Sequence, residues 1–334
     1  MKNFTLFIGI DISKLTLDVI GINEKNEFIL HSEQFQNESA TIKHFFNQLI
    51  KKYDKEHLLV GFENTGIYGR RLIKILEELA IPFCQLPSLE IQRSKGIQRG
   101  KSDRIDAKMI AQYLLTHRFK LKESIADDPH IEELQLLQNQ RDKIIKAINQ
   151  FSMHKELAPF VDKTIRKEVD QASENILHNL KKNLKKIEAR IDEVIKENER
   201  VTQQMNLIQS VPGVGKVTAL YLLTVTHGFR NFKDARKLAC YAGVAPFPYQ
   251  SGTSLNRKSR VSHFADKKLK SLLNMCALNA KRHDQEMKAY YERKVDEGKS
   301  KMLVINNVRN KLLARIFAVV KREQPFVNTQ KYAA

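Results

Sequence analysis

The sequence predicts an α/β domain over residues 1–122 followed by a remainder that is all α. Three observations carry that division. Between Phe4 and His117, short β-rich runs alternate with stretches of helical period. From Leu137 onward the apolar residues recur at spacings of three and four. Glycine (13) and proline (8) are scarce for 334 residues, which excludes a collagen-like or low-complexity chain and leaves ample apolar material for a core.

In chain order, Phe4–Asp11 (FTLFIGID) is a β-rich run ending in an acid, Leu15–Asn23 alternates apolar and polar positions, and Glu27–Phe35 supplies a third strand. The intervening Ile12-Ser13-Lys14 and Glu24-Lys25-Asn26 are short enough for antiparallel hairpins. A helix over 40–53 carries Ile42, Phe45, Phe46, Leu49 and Ile50 on one face. A strand at His57–Phe62, a helix at 67–80, a strand at Pro82–Leu86 and a helix from Ser102 to His117 follow. Three hairpin-linked strands followed by strand–helix alternation predict a mixed sheet with flanking helices.

The middle, 123–204, reads as a helical arm. Leu177, Leu180, Leu184, Ile187, Ile191 and Val194 are spaced 3, 4, 3, 4, 3, a coiled-coil seam on which Asn198 takes the next position before Val201, Met205 and Ile208. A weaker pattern (Leu137, Ile144, Ile148, Phe151, with Arg141 on the seam) precedes it, and Ala158-Pro159-Phe160 lies between the two. Two long helices in an antiparallel hairpin are expected. They serve either as a dimerisation arm or strut, or as ordinary amphipathic helices on the protein's own core.

Residues 205–334 form the third region, expected to be helical. There, Val211-Pro-Gly-Val-Gly-Lys216 precedes an apolar helix at Val217–Thr226. The spacing is not that of a GxxxxGK[ST] phosphate loop. It suits the turn of a helix-hairpin-helix module, in which backbone N–H groups and the next helix N-terminus meet a DNA phosphate, or a plain connector between helices. Gly213, Gly215 and Lys216 are the candidate contacts.

Charge narrows the partner. Of the formal +19, residues 251–334 contribute +12, with 19 Lys and Arg against 7 Asp and Glu. Such asymmetry favours a polyanion, nucleic acid before anionic membrane, over a merely solubilising surface. No apolar run approaches the roughly 18 residues that span a bilayer, and Met1-Lys2-Asn3-Phe4 does not begin a signal peptide. Cys84, Cys240 and Cys276 are too far apart for a CxxC motif or a disulfide framework. A cytoplasmic protein without membrane attachment is expected.

Four acids stand out by placement: Asp11 at the end of the first strand, Glu63 at the end of the fourth, and Asp103 and Asp106 three apart at a helix start. The i, i+3 spacing puts the last two on one helical face. A helix packed beside the sheet edge where the strands end would gather all four, and such a set suits one or two Mg²⁺ ions and phosphoryl transfer. Asp103 can equally serve the helix dipole, and Asp106 can be an exposed residue paired with a nearby cation. A second constellation, Tyr249-Gln-Ser-Gly-Thr-Ser-Leu-Asn-Arg-Lys-Ser-Arg260, interleaves hydroxyls with Arg257, Lys258 and Arg260. Its first reading is a phosphate-gripping loop, with a serine nucleophile as the less favoured one.

In order and content, FIGIDISK, GFENTGIYG and KSDRIDAKMIAQYL resemble the N-terminal domain of the DEDD-type insertion-sequence transposases, the IS one-ten family related to Piv-type DNA invertases. IQSVPGVGKVTALYLL and FRNFKDARKLACYAGVAPFPYQSGTS resemble that family's C-terminal transposase domain. The resemblance implies a RuvC-like, RNase H-type fold with Asp11, Glu63, Asp103 and Asp106 as a Mg²⁺-binding tetrad. It further implies Ser251 as a nucleophile that joins transiently to the DNA backbone, making the chain a DNA transposase or recombinase. The implied partners are donor and target DNA, a structured (bridge) guide RNA, and further copies of the chain in a homodimer or homotetramer. A site-specific invertase without guide RNA, or a Holliday-junction-type nuclease using only the carboxylates, are the alternatives.

Overall fold

The computed structural model describes residues 3–94, 102–125, 128–152, 160, 162–232, 234–251, 255–261 and 264–328, with the side chains of 32, 166, 247–251 and 255–260 outside that description. The chain separates into two units, Met1–Ala126 and Asp127–Ala334.

The first unit is the expected mixed sheet. Strands β1 (Leu6–Ile12), β2 (Thr16–Asn23) and β3 (Phe28–Gln36) form an antiparallel meander. They are followed by α1 (Ser39–Lys52), β4 (Leu58–Glu63), α2 (Arg70–Glu78), β5 (Phe83–Leu86), α3 (Ser88–Ser94) and α4 (Asp103–His117). The sheet order is β3-β2-β1-β4-β5, with β4 parallel to β1 and β5 parallel to β4. Period-two alternation distributes the side chains to two cores. Ile8, Ile10, Val19, Val60 and Phe62 face Ile42, Phe46, Leu72 and Leu76 of α1 and α2. On the opposite face Phe7, Ile20, Ile22 and Leu59 meet Ala107, Ile110, Ala111 and Leu114 of α4. Because β1 is covered on both faces it reads as an almost continuous apolar run.

Helix α4 lies hard against the sheet for a reason visible in the strands. Gly9 and Gly61 are register partners on β1 and β4. A Cβ on Gly9 would overlap the Ala107 carbonyl and the Ala111 amide, and one on Gly61 would come within 2.7 Å of Leu114 Cδ1. The paired glycines form a trough that receives the helix.

In the second unit α5 (Pro129–Ser152) and α6 (Lys163–Glu197) pack antiparallel, tied by Arg190–Glu133 at 2.8 Å and Arg141–Glu188 at 2.9 Å. Ile191, Val194 and Ile195 enter the core of this unit, and Ile187 packs against it. The expected turn around Pro159 lies outside the described residues. Asn198 departs from the expected seam. Its backbone leaves the helical region (φ −124°, ψ 111°), and its side chain accepts from Val201 N at 3.1 Å, capping a new helix, α7 (Glu199–Gln209). The heptad spacing runs on across the break, but the capping bond ends α6 there.

Beyond it come α8 (Lys216–Val225), α9 (Ala235–Tyr241), β6 (Phe247–Ser251), β7 (Leu255–Arg260), α10 (Lys267–His283), α11 (Gln285–Asp296) and α12 (Lys301–Arg322). The antiparallel β6–β7 hairpin is a correction to the all-helical expectation for this region; Phe247 pairs with Arg260 and Ser251 with Leu255. Its strands mix prolines, hydroxyls and cations and lack an apolar alternation that would announce them. Around it the helices bury an aliphatic core that includes Leu207, Ile208, Leu222, Leu223, Leu273, Val308, Leu312 and Ile316. Among the described residues no helix is long and apolar enough to cross a membrane.

Candidate active site

Asp11 is the penultimate residue of β1 and Glu63 the last of the parallel neighbour β4, one step beyond the final paired positions Ile10 and Phe62. By strand alternation Asp11 shares the face of Phe7 and Gly9, and Glu63 that of Leu59 and Gly61, which is the face covered by α4. Ser102 caps α4 by accepting from Ile105 N at 3.3 Å, so Asp103 and Asp106 fall in its first turn. The glycine trough sets the helix down on β1 and β4 with that turn toward the strand ends.

The electrostatics record the meeting. The Asp11 carboxyl is pushed up to about 6, first by burial and then by the negative charges of Asp103, Asp106, Glu63 and Asp18. Every one of these influences opposes its ionisation, as expected for like charges gathered in a partly desolvated place. Beyond burial, Asp11 thus feels the charges of the other three sequence-predicted acids and of Asp18. Among the described residues, no three Asp, Glu, His or Cys side chains already stand as a cage for a metal ion. The fit to Mg²⁺ lies in donor type, all hard carboxylate oxygens, and in the excess negative charge at Asp11.

One acid escaped the sequence reading. Asp18 stands opposite Asp11 on β2, is 6% exposed, and accepts from Gln34 Nε2 of β3 at 3.1 Å. Within LTLDVIGIN it is one of the polar positions of an alternating strand. The signal that would have found it is its hairpin register with Asp11.

In the second unit, Ser251 ends β6, and Arg257, Lys258 and Arg260 lie on β7. These residues thus share one hairpin, while their side chains, and Thr253 and Ser254 entirely, lie outside the described residues. The Pro-Gly-Val-Gly segment links α7 to α8. Gly213, at φ +91°, packs so closely on α10 that a Cβ would sit 2.8 Å from Ala280 N and Cys276 O. Gly215 caps α8 without a side chain and has open space around it, whereas Lys216 is ion-paired with Asp192 of α6. Gly213 thus has a packing reason of its own; Gly215 leaves the start of α8 open.

Comparison with known proteins covers both units. Residues 8–157 match a family model described as Transposase, and residues 205–292 match one described as Transposase IS116/IS110/IS902 family. The chain is 27% identical over 337 aligned positions to the pilin gene-inverting protein of Moraxella lacunata, covering 96% of this chain and 97% of that one. It is 31% identical to a 44.8 kDa protein of insertion element IS116 from Streptomyces clavuligerus, over 32% of this chain and 27% of that one. Among solved structures, Thermus thermophilus RuvC in complex with a Holliday junction substrate matches 34% of this chain and 93% of its own, at 14% identity and a TM-score of 0.28. Its first part and its later part are thus each similar to a transposase family model, the later one to the IS116/IS110/IS902 family.

Proposed function

We propose that this chain is a DNA transposase or recombinase that moves an insertion sequence by Mg²⁺-dependent strand cleavage and exchange through a serine nucleophile. The observation that carries the reading is the Asp11 carboxyl, raised first by burial and then by the charges of Asp103, Asp106 and Glu63. The four acids come from two strand ends and one helix start. We assign metal chemistry to a RuvC-like domain, residues 1–122, the helical arm at 123–204 to holding copies of the chain together, and serine chemistry to 205–334.

Asp11, Glu63, Asp103 and Asp106 would hold the metal, which when bound supplies Lewis-acid stabilisation of charge on the reacting phosphate. The Ser251 hydroxyl forms a bond to phosphorus while one DNA P–O bond breaks, and the serine proton ends on the departing DNA oxygen. Reversing the step with a different DNA hydroxyl completes exchange, regenerates the serine and conserves the phosphodiester, so no nucleotide triphosphate is consumed. Arg257, Lys258 and Arg260, together with the Gly213–Lys216 turn, hold backbone phosphates. A structured guide RNA pairs with donor and target and selects sequence, the protein acting in the cytoplasm as a dimer or tetramer.

The test is a covalent protein–DNA adduct on denaturing gels. Wild type forms it with Mg²⁺, and Ser251→Ala forms none. Recombination by Ser251→Ala would instead leave a nuclease using only the carboxylates. A second reading, site-specific inversion without a guide RNA, is favoured by the near-complete coverage of the Moraxella pilin gene-inverting protein. Activity that survives ribonuclease treatment and purification free of RNA selects it.

A further inference from the structure

Arg309 is a buried cation among the described residues with no carboxylate beside it. It falls inside the apolar stripe of α12 formed by Ile305, Val308, Leu312, Leu313 and Ile316, and is 6% exposed. Its Nη2 donates to Asn274 Oδ1 of α10 and its Nη1 to Asn306 Oδ1 at 3.5 Å, while its Nε is buried without a partner. Burial alone acts on the guanidinium, lowering its pKa, with no opposing carboxylate to restore it. A buried charge served only by neutral amides is costly unless an anion compensates it.

The surroundings indicate which anion. Asn306 Nδ2 donates to the Val244 carbonyl at 2.7 Å, which ties α12 to the segment entering β6. On that segment Gly243 (φ +63°) has Lys270 of α10 beside it, the Lys270 Nζ 4.0 Å from where a Cβ would be. Lys270 is one helical turn before Asn274, and both are half-buried, as is Asn306. Asn274 and Asn306 thus bond Arg309 directly, while Lys270 lies one turn away on α10 beside the segment that Asn306 ties down; a guanidinium and an ammonium flanked by amides suit the charge of a phosphodiester.

We propose that Arg309, Lys270, Asn274 and Asn306 form a phosphate site that holds the DNA backbone at the base of the hairpin bearing Ser251. The site rests on the reading of the chain as an enzyme acting on DNA, and gives it a grip separate from the β7 cations. Its cost in stability is retained because the anion comes from the substrate.

The experiment measures binding of the full chain to duplex DNA in chelator, so that no strand is cut, as a function of salt. Wild type binds with a steep salt slope. Arg309→Met and Lys270→Ala each bind about tenfold more weakly, with slopes shallower by about 0.9, the loss of one phosphate contact. Arg309→Lys keeps the slope. Arg309→Met melts no lower than wild type, because it removes an uncompensated buried charge; a lower melting point with DNA binding intact would make Arg309 a structural residue and overturn the proposal. Should Arg309→Met fail to fold, Lys270→Ala and Asn274→Ala carry the test, and unchanged slopes in both overturn it. Losses seen with a structured RNA but not with duplex DNA overturn the assignment to DNA. A wild-type chain that binds no DNA overturns the functional reading itself, which is distinct from wild-type binding that the variants leave untouched.

Discussion

Gly9 of β1 lies directly under Ala107 of α4, with no room between them for a methyl group: a Cβ on Gly9 would overlap the Ala107 carbonyl and stand 3.0 Å from Ala111 Cα. The contact sets both the packing of the first unit and the placement of Asp103 and Asp106. Gly9→Ala must push the helix away, since both obstructing groups are backbone. A loss of about 1–3 kcal/mol, the usual cost of overpacking, is expected in urea unfolding. Strand cleavage should fall further than this stability loss explains, because the first turn of α4 moves with the helix. Unchanged stability would show that α4 is not seated in the glycine trough.

Asp11 gives the first unit a pH dependence opposite to that of an ordinary salt-bridged aspartate. Its folded pKa, about 6, exceeds the unfolded 3.8, so the folded state holds the proton more tightly. The favourable contribution is complete below about pH 3.8, declines as pH rises toward 6, and is gone above it. In chelator, the melting temperature of Asp11→Asn minus that of wild type should therefore grow between pH 4 and 6 and level off beyond. At pH 7, Mg²⁺ should raise the melting point of wild type through its preference for the folded state, and raise that of Asp11→Asn much less. A flat difference across pH 4–6 would mean that neither burial nor the neighbouring acids raise the Asp11 carboxyl.

The acids were legible because strand ends and helix starts are local features. FIGID ends in an acid after an apolar run, and Ser102 announces the helix that carries Asp103 and Asp106. Asp18 was not legible, because its burial depends on a register with Asp11 and on Gln34 from a third strand. The β6–β7 hairpin was hidden for a different reason. Its polar, proline-containing strands carry no period, and pairing rather than patterning defines them. Arg309 reads in sequence as one of many cations; only its place in the α12 stripe marks it as buried.

Asn198 shows a local bond overriding a periodic signal, and the override can be measured. Its side chain caps α7 and also lies 3.2 Å from His130 Nδ1 of α5. Asn198→Ala removes an N-cap and should cost about 1 kcal/mol in urea unfolding. Asn198→Asp keeps the acceptor and should recover most of that loss. If Asn198→Leu, which completes the heptad spacing, proves more stable than wild type, then the seam outweighs the cap and α6 and α7 can run on as one helix.

Asp284 holds three elements of the second unit at once. Its carboxylate is 2% exposed, accepts from Glu286 N at 3.0 Å and Met287 N at 3.2 Å to start α11, and pairs with Arg315 Nη1 of α12 at 2.5 Å. Arg315 also reaches Glu286, whose side chain is 43% exposed and therefore a weaker anchor. Removing Asp284 leaves a 13%-exposed guanidinium without its buried partner, which in comparable pairs costs about 3–5 kcal/mol. Asp284→Ala should approach that figure, because it also deletes the cap. Asp284→Asn, which can still accept from the two backbone amides, should lose less. The double variant Asp284→Ala/Arg315→Met removes the stranded cation together with its partner and should be more stable than Asp284→Ala alone. A coupling below about 0.5 kcal/mol in that double-mutant cycle would show that the two residues act independently, and that the cap alone explains why Asp284 is buried.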